Sequence, residues 1–246
     1  MRLEGKRAIV TGGASGFGAG IARKFAAEGA QVMVADLNAD LAAQVAADIG
    51  GIAVQVDVSD AASVAAMAEK VQLDWAGVEI IVNNAGVTHL PKPMETVTDA
   101  EFDRVFNVNC KSVYLMARAF NPMMVAARAG AILNVASTAG LSPRPNLNWY
   151  NASKGWMITA TKTMAVELAP KGIRVNALCP VAGETPLLSS FMGEDTPEMR
   201  AKFLSTIPIG RFSTPEDLGN AACFLCSDEA SMITGTAMEV DGGRCI

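Results

Sequence analysis

The chain has 246 residues, of which 50% are hydrophobic and 18% are charged, a balance that excludes a disordered or fibrous protein. The net charge of −5 comes from 20 basic and 25 acidic residues without a basic cluster, which argues against binding to nucleic acid or to an anionic membrane. This length suits one α/β domain with a well-filled core, and the composition favours a small molecule as the partner.

The N-terminal residues lead directly into the apolar run Ala8-Ile9-Val10, without the basic, long apolar and cleavage-site regions of a signal peptide. No stretch reaches the length of a membrane span. The five cysteines are an odd number in a chain large enough to fold without disulfides, which fits a reducing compartment. The sequence therefore predicts a cytoplasmic protein.

Short apolar runs alternate with longer alanine-rich segments at helical period, beginning with a strand. The predicted strands cover residues 7–11, 31–36, 52–57, 79–83, 131–137, 173–179 and 236–240. The predicted helices cover residues 16–29, 39–49, 61–75, 99–127, 150–169 and 215–227. This order is typical of repeated βαβ units. It predicts a single α/β domain over residues 1–246, with a parallel sheet of about seven strands flanked by helices.

A glycine-rich segment from Thr11 to Gly18 follows the first predicted strand and opens the first helix. Its glycines, Gly12, Gly16 and Gly18, have the spacing GxxxGxG. Glycine permits a tight turn and lets backbone N–H groups approach a pyrophosphate at the positive end of the helix. The segment therefore predicts a dinucleotide site.

Carboxylates end the next two predicted strands. Asp36 lies 18 residues after Gly18, where a dinucleotide-binding fold places an acid that accepts a hydrogen bond from the adenosine ribose 2′-hydroxyl. Because such a carboxylate repels a 2′-phosphate and no arginine lies beside it, the sequence favours NAD over NADP. Asp57, followed by Val58, is a candidate acceptor for the adenine amino group.

Tyr150 and Lys154 lie four residues apart at the start of a predicted helix, so their side chains share one face about one turn apart. An ammonium near a phenol favours the phenolate and lowers the pKa of the tyrosine toward the range useful for proton transfer. Tyrosine and lysine at this spacing are also common on protein surfaces, so the pair gains its weight from the other motifs.

The segment 184–212 interrupts the alternation of strands and helices just after the sixth strand, and it contains three prolines and two glycines. It follows the carboxyl end of a strand, where open α/β sheets bind ligands. We interpret it as a lid over a substrate pocket, and the alternative is a packed helical pair without motion.

Cys223 and Cys226 form a CxxC pattern in the last predicted helix. The residues around them are apolar, and no second pair supplies the other two ligands of a zinc site. We therefore interpret the pattern as a buried helix turn and expect no metal.

Five motifs follow one another in a familiar order: TGxxxGxG at Thr11 to Gly18, NNAG at Asn83 to Gly86, Asn109 in Asn-Cys-Lys-Ser, Ser137 at a strand end, and YxxxK at Tyr150 to Lys154. With them, the sequence resembles the short-chain dehydrogenase/reductase family over essentially its whole length. The resemblance implies a Rossmann-type, doubly wound sheet that carries the cofactor and catalytic residues in one domain.

The resemblance implies a proton relay of four residues. Tyr150 would exchange a proton with the substrate oxygen, and Ser137 would hold that oxygen by a hydrogen bond that strengthens as charge develops. Lys154 would favour the phenolate and donate to the nicotinamide ribose. Asn109 would hold, through its backbone, a water that links Lys154 to solvent. The implied cofactor is NAD, which carries the hydride chemistry.

The resemblance also places residues around the cofactor: Gly12, Ser15, Gly16, Phe17, Gly18, Asp36, Leu37, Asp57, Val58, Asn84, Ala85, Gly86, Tyr150, Lys154, Pro180, Gly183 and Thr185. The family usually has a glycine where this chain has Val181, and a branched residue where it has Gly183. Because of these two departures, the backbone path that the family has near the nicotinamide is not implied for this chain.

Substrate identity lies in variable loops, which the fold does not determine. The candidate wall residues are mainly apolar: His89, Leu90, Thr138, Leu141, Arg144, Trp149, Leu187, Leu188, Phe191 and Met192. With Ser137 and Tyr150, the predicted substrate contacts are His89, Arg144, Trp149 and Leu187. For His89 and Arg144 the alternative is an ordinary polar loop residue without a substrate contact. If Arg144 does contact the substrate, it suits an anionic group of that substrate.

These expectations describe an NAD-dependent oxidoreductase that interconverts a secondary alcohol and a ketone. The alternatives are a 3-oxoacyl-(acyl-carrier-protein) reductase, a sugar or polyol dehydrogenase, and a dinucleotide sensor without catalysis. The complete relay disfavours the sensor. Asp36 and the absence of an obvious basic patch disfavour the carrier-protein reductase.

Members of the resembled family are commonly tetramers, so the resemblance implies a homotetramer, with a homodimer as the alternative. Apolar residues on the helices predicted at 99–127 and 150–169 fit such an interface, and they fit burial within the monomer equally well: Val113, Met116, Trp156 and Met164.

Overall fold

A computed structural model describes the whole chain, Met1–Ile246, and contains seven parallel strands in one sheet. The strands are β1 (Arg7–Thr11), β2 (Gln31–Asp36), β3 (Ile52–Gln55), β4 (Ile80–Asn83), β5 (Gly130–Val135), β6 (Ile173–Pro180) and β7 (Ala237–Val240). Their order across the sheet, β3-β2-β1-β4-β5-β6-β7, confirms the predicted doubly wound fold. The order reverses between β1 and β4, and sheets of this kind bind ligands at the carboxyl ends of the strands at this point.

Nine α-helices connect and cover the strands: α1 (Gly16–Ala27), α2 (Ala39–Ile49), α3 (Ala61–Trp75), α4 (Asp99–Phe106), α5 (Ser112–Ala127), α6 (Asn148–Leu168), α7 (Leu188–Met192), α8 (Pro197–Leu204) and α9 (Pro215–Cys226). Outside residues 99–127 and 184–212, the predicted bounds agree with these to within a few residues. None of the helices combines the length and the apolar character needed to cross a membrane.

Alternate residues of each strand face opposite sides of the sheet, and each side packs against its own helices. Ala8 and Val10 of β1 belong to one buried cluster, together with side chains of α1, α2 and α9. Ile9, between them, belongs to a second cluster with side chains of α3, α5 and α6. The apolar runs of β1 and β4 are continuous because both faces of these strands are covered.

The predicted helix over residues 99–127 is helical throughout, but it contains a π-helical turn that the sequence did not predict. α4 ends at Phe106, a π-helical turn covers Asn107–Lys111, and α5 begins at Ser112. A π turn inserts one residue into the helical hydrogen-bond ladder and shifts the apolar pattern by one position, which a reading of the average helical period over the whole segment does not reveal. Asn109 lies in this turn and is buried against α6.

The segment 184–212, which we call the insertion, holds α7 and α8 around a small apolar core. Its buried side chains, together with one from the end of β6, are Val181, Leu188, Met192, Ile207 and Phe212. An isolated bridge between Gly183 and Ser213 joins the chain just before and just after the insertion. This packing supports the packed helical pair, and motion of the insertion as a lid stays a prediction.

The CxxC cysteines, Cys223 and Cys226, lie on α9 and are buried in the cluster that α9 forms with the sheet. Burial raises the pKa of both thiols and so disfavours the thiolate, which is the form that binds metals. Both cysteines serve as core side chains, in accord with a buried helix turn.

Candidate active site

A cavity of about 640 Å³ lies at the carboxyl ends of the strands and reaches beneath the insertion. All of the residues predicted to contact the cofactor line this cavity, and so does Ser137. The cavity joins two regions of different chemistry. Glycines and acidic residues surround one end, and hydroxyl, aromatic and arginine side chains surround the other.

The glycine segment after β1 allows the ends of β1 and β4 to approach closely. A Cβ on Gly18 would overlap both the carbonyl oxygen of Gly12 and Nδ2 of Asn84. Nδ2 of Asn84 donates to the carbonyl oxygens of Thr11 at 2.9 Å and Gly12 at 3.0 Å, which fixes the segment in place. The first N–H groups of α1 have no acceptor within the helix, so the segment is able to bind a phosphate.

Asp36 ends β2 at the glycine-lined end of the cavity, and backbone N–H groups hold its carboxylate. Oδ2 accepts from the N–H of Ala14 at 3.0 Å, and Oδ1 accepts from the N–H of Asn38 at 3.0 Å. The surface beside it contains no basic side chain and consists of Leu37, Asn38, Ala39, Asp40 and Gln55. A fixed carboxylate in such surroundings accepts hydrogen bonds from hydroxyl groups and repels phosphate.

Asp57 and Val58 line the cavity beyond the end of β3. Oδ1 of Asp57 accepts from both the N–H and the hydroxyl of Ser59, at 2.9 Å and 2.6 Å. The carboxylate of Asp57 is therefore held in a local turn, and Val58 is buried beside it.

Ser137 and Tyr150 both line the other end of the cavity. Ser137 follows β5, and its Oγ accepts from the N–H of Ala139 at 3.0 Å, which caps a short 3₁₀ turn. Tyr150 lies in the first turn of α6 and is buried. Its ring packs edge-on against the ring of Phe191 of α7, with the centroids 5.0 Å apart.

Lys154 lies one turn after Tyr150 on the buried face of α6, as predicted. Its Nζ donates to the carbonyl oxygen of Val135 at 2.9 Å and lies 5.9 Å from the centroid of the Tyr150 ring. Burial lowers the pKa of Lys154 to about 8. Burial also raises the pKa of Tyr150 to about 12, although the hydroxyl of Ser137 acts in the opposite direction. The structure therefore does not show the expected lowering of the tyrosine pKa by the lysine.

Asn109 is fully buried and lies behind the cavity rather than in its wall. Its Oδ1 accepts from the N–H of Val87 at 2.9 Å, and its Nδ2 donates to the carbonyl oxygen of Val87 at 2.9 Å. Nδ2 also donates to Oγ of Ser153 at 2.9 Å, and that hydroxyl donates to the carbonyl oxygen of Tyr150 at 2.7 Å. Asn109 thus connects the loop after β4 to the helix that carries the tyrosine.

The absence of a side chain at position 183 is explained by Phe17. A Cβ on Gly183 would overlap the ring of Phe17 and would lie 2.9 Å from the carbonyl oxygen of Ser213. The phenyl ring therefore occupies the space beside position 183. Thr185 packs on the glycine segment, since a Cβ on Gly16 would lie 3.0 Å from Cβ of Thr185.

Two of the predicted substrate contacts, His89 and Trp149, lie outside the wall of the cavity. His89 is buried, and its Nδ1 makes a 2.8 Å hydrogen bond with the carbonyl oxygen of Leu90. Nε1 of Trp149 donates to the carbonyl oxygen of Met94 at 3.2 Å, and its ring packs edge-on against Phe102. The structure does not place these two side chains in the cavity wall, because the direction of a side chain at a loop or at a helix start is not set by any periodic pattern. Their contact with a substrate stays a prediction.

Of the other predicted wall residues, some line the cavity and some do not. Those that line the cavity are Thr138, Arg144, Leu187 and Phe191. Those that do not are either exposed or buried in the core of the insertion: Leu90, Leu141, Leu188 and Met192. α7 is a single short helix between the cavity and that core, so its apolar residues are shared between the two.

Several residues at the substrate end of the cavity were not predicted from the sequence, among them Ser142, Leu147, Asn151 and Phe203. Nδ2 of Asn151 donates to the carbonyl oxygen of Arg144 at 2.7 Å and so holds the loop before α6. Its place directly after Tyr150 is the signal that could have identified it. Phe203 offers no such signal, because it is one of several apolar residues in the insertion.

Comparisons with known proteins match this geometry. A family model described as enoyl-(acyl carrier protein) reductase matches residues 12–244. The chain is 50% identical to the 4-formylbenzenesulfonate dehydrogenase of Comamonas testosteroni, with 100% of both chains covered. It is 39% identical to the galactitol 2-dehydrogenase of Agrobacterium fabrum, with 99% of both covered.

A solved structure is similar over its whole length. The crystal structure of 3-ketoacyl-(acyl-carrier-protein) reductase from Brucella melitensis complexed with NADH superposes with a TM-score of 0.94 at 50% identity, covering 99% of this chain and 100% of that one. Together with the fold and the motifs at the cavity, these matches show that the chain is an oxidoreductase of the short-chain dehydrogenase/reductase family.

Proposed function

We propose that this oxidoreductase uses NAD to interconvert a secondary alcohol and a ketone. The observation that carries the proposal is one cavity that joins the fixed carboxylate of Asp36 at one end to the hydroxyls of Ser137 and Tyr150 at the other. The carboxylate suits the ribose of a dinucleotide, and the hydroxyl pair suits a reacting oxygen. Cofactor and substrate therefore share one crevice at the carboxyl ends of the strands.

Asp36 supports NAD rather than NADP. Both carboxylate oxygens are held by backbone N–H groups and retain further lone pairs for a ribose hydroxyl. A 2′-phosphate placed there would meet this carboxylate and that of Asp40, with no basic side chain to offset them. The glycine segment and the amino end of α1 fit the pyrophosphate. NAD, when bound, accepts or donates the hydride.

Tyr150 and Ser137 handle the substrate oxygen. In ketone reduction, the phenol of Tyr150 donates its proton to this oxygen while the hydroxyl of Ser137 donates a hydrogen bond to it. A pKa of about 12 keeps Tyr150 protonated at neutral pH, as this direction requires. In alcohol oxidation the proton moves from the alcohol to the phenolate of Tyr150, and the ammonium of Lys154 favours that phenolate before the transfer.

Lys154 and Asn109 complete the proposed relay. Nζ of Lys154 has one carbonyl acceptor, that of Val135, and retains two N–H donors for the ribose of the cofactor and the relay. Asn109 is a positioning residue, because its side chain holds Val87 and Ser153 rather than facing the cavity. A water on the backbone of Asn109 would connect Lys154 to solvent.

Steady-state rates on a panel of secondary alcohols and their ketones, each with NAD(H) and with NADP(H), test this proposal. We expect turnover on at least one pair and a kcat/KM about tenfold or more higher with NAD, because like charges at the ribose subsite disfavour NADP. No turnover on any pair, or a preference for NADP, would contradict the proposal.

The comparisons favour two other substrate classes within the same chemistry. The similar Brucella melitensis structure is that of a 3-ketoacyl-(acyl-carrier-protein) reductase, and one relative is a galactitol 2-dehydrogenase. A 3-oxoacyl thioester on a carrier protein and a set of polyols therefore belong in the same assay. Reduction of the thioester much faster than any oxidation of a free alcohol would reverse the ranking.

We also propose a homotetramer in the cytoplasm, with a homodimer as the alternative. Val113 and Met116 are buried in the monomer, so of the four interface candidates only Trp156 and the partly buried Met164 remain. Further exposed aromatic side chains on α4 and α5 suit an interface: Phe102, Phe106 and Tyr114. All five cysteines are free thiols, which suits a reducing compartment. Light scattering after size exclusion tests the assembly, and a monomer would contradict it.

A further inference from the structure

Arg144 lines the substrate end of the cavity, and packing fixes its side chain. Its guanidinium carbon lies 4.3 Å from the ring centroid of Phe203 on α8, so the insertion covers one face of the guanidinium. One terminal nitrogen donates to Oγ1 of Thr206 at 3.1 Å. Asn151 holds the backbone of the same residue. The charge is therefore presented in one orientation.

The guanidinium of Arg144 has few hydrogen-bond acceptors within the chain. It offers five N–H donors, and a single hydroxyl accepts from it. The ion pairs of the structure involve other basic residues, and none includes Arg144. Arg174, which is also partly buried, differs: its guanidinium donates to three carbonyl oxygens, those of Leu225, Ser227 and Ile233. Arg174 serves the fold, and Arg144 faces the cavity.

A second arginine lies close to the first. Arg244, near the C-terminus, donates from a terminal nitrogen to Oγ of Ser142 at 3.3 Å, and its buried Nε has no acceptor. Burial and then the charge of Arg244 lower the pKa of Arg144. Like Arg144, Arg244 has no carboxylate partner, although the protein as a whole is acidic. Two such arginines side by side create a positive potential at this end of the cavity.

Apolar side chains contact both Tyr150 and Arg144 and line the same cavity. Phe191 contacts the ring of Tyr150, and Phe203 contacts the guanidinium of Arg144. Leu147 and Leu187 line the same end of the cavity. A molecule whose reacting oxygen lies at Ser137 and Tyr150 would therefore contact apolar surface as well as a positive charge.

We propose that the substrate of this cavity is an alcohol or ketone with an apolar body and an anionic group, a carboxylate or sulfonate, which Arg144 binds and Arg244 supports from behind. This inference rests on the proposed function, because it names the substrate class of the same site. Arg144 is then the residue that selects among secondary alcohols by charge.

Matched substrates test the inference. The rates of NAD-dependent oxidation of 1-phenylethanol, 1-(4-carboxyphenyl)ethanol and 1-(4-sulfophenyl)ethanol are measured for the wild type, Arg144→Met and Arg23→Met. Arg23 is the control, because it lies on α1 and pairs with Asp48 at 3.4 Å. We expect the anionic alcohols to exceed the neutral one in kcat/KM by about 10- to 100-fold in the wild type, since charge-assisted hydrogen bonds are the strong ones.

The variants decide which residue carries this preference. Arg144→Met is expected to reduce the ratio of anionic to neutral kcat/KM to within about threefold of one, whereas Arg23→Met keeps the wild-type ratio. Equal kcat/KM for anionic and neutral alcohols in the wild type would overturn the inference while leaving the proposed function intact. An unchanged ratio in Arg144→Met would also overturn it.

A binding measurement keeps the inference separate from the proposed function. Benzoate and benzamide, neither of which can be oxidised here, are compared for the shift that each produces in the Tm of the protein with NAD. We expect a larger shift with benzoate in the wild type and no such difference in Arg144→Met. If no alcohol is oxidised but this pattern appears, the proposed function fails and the anion subsite stands. Equal shifts with both compounds in the wild type would overturn the subsite.

Discussion

Tyr150 and Lys154 are both buried, and burial moves their pKa values in opposite directions, to about 12 and about 8. At neutral pH the phenol is neutral and the lysine ammonium gives up its proton more readily than an exposed one. Burial favours the neutral form of both the phenol and the amine. The proposed relay therefore depends on the charge that develops on the substrate oxygen during the reaction, which favours the charged forms. Because these pKa values differ from those of exposed groups, the same two residues also make the stability of the fold depend on pH.

The pKa of Lys154 predicts how stability depends on pH. In the unfolded chain this lysine has a pKa of 10.5, so between about pH 8 and 10.5 the unfolded chain binds more protons than the folded one. Stability from this group therefore rises with pH in that window. We expect the free energy of unfolding of the wild type, relative to Lys154→Met, to rise from pH 8 to about pH 9.5, below the range where Tyr150 acts in the opposite direction.

The matched control for this prediction is Lys162→Met, because Lys162 is exposed on the same helix. Relative to that variant, the wild type is expected to show no such pH dependence. Denaturant unfolding at several pH values measures both differences. A flat or falling difference between the wild type and Lys154→Met would show that the buried lysine keeps an ordinary pKa.

Single residues were predictable from the sequence where the backbone fixes their direction. Asp36 ends a strand at the edge where the cavity lies, and Tyr150 and Lys154 share a helix face, so strand ends and helical spacing sufficed. The positions of His89 and Trp149 were not predictable in this way, because local hydrogen bonds and packing hold both side chains outside the cavity wall.

At the scale of elements, the π turn between α4 and α5 and the bridge at the insertion position the site. The π turn brings Asn109 to Val87 and Ser153, so three elements are tied together behind the tyrosine. Neither feature was predictable from periodicity, because a shift of one position is not revealed by the average period of a long helix, and a two-residue bridge is too short to have a period. The family motif alone indicated Asn109.

The bridge segment gives a prediction about Gly183 and Phe17. Gly183→Ala places a Cβ against the Phe17 ring and the carbonyl oxygen of Ser213, so we expect a loss of about 1–3 kcal/mol in the free energy of unfolding. In a Phe17→Ala background the ring is gone and the backbone contact remains, so the same substitution is expected to cost less.

Denaturant unfolding of the four proteins in this cycle measures the coupling between positions 17 and 183. Thermal unfolding gives an independent value. The same cost of Gly183→Ala in both backgrounds would mean that Phe17 does not occupy the space beside position 183.

For the molecule as a whole, the order of strands and helices was predictable because the central strands are covered on both faces and the helices beside them bury one face. The continuous apolar strands and the alanine-rich helices produce this layering directly. Which side chains of the insertion face the cavity was not predictable. α7 and α8 are short and pack on both the cavity and a small core of their own, so their pattern has no single apolar stripe.

The central claim is that Tyr150 exchanges a proton with the substrate in a cavity that binds NAD. Its most direct test compares the wild type and Tyr150→Phe, which keeps the ring against Phe191, in NADH affinity and in kcat with the best alcohol. We predict NADH affinities within about threefold of each other and a kcat lower by about 10²- to 10⁴-fold in the variant. A Tyr150→Phe protein that binds NADH and retains the wild-type kcat would contradict the claim.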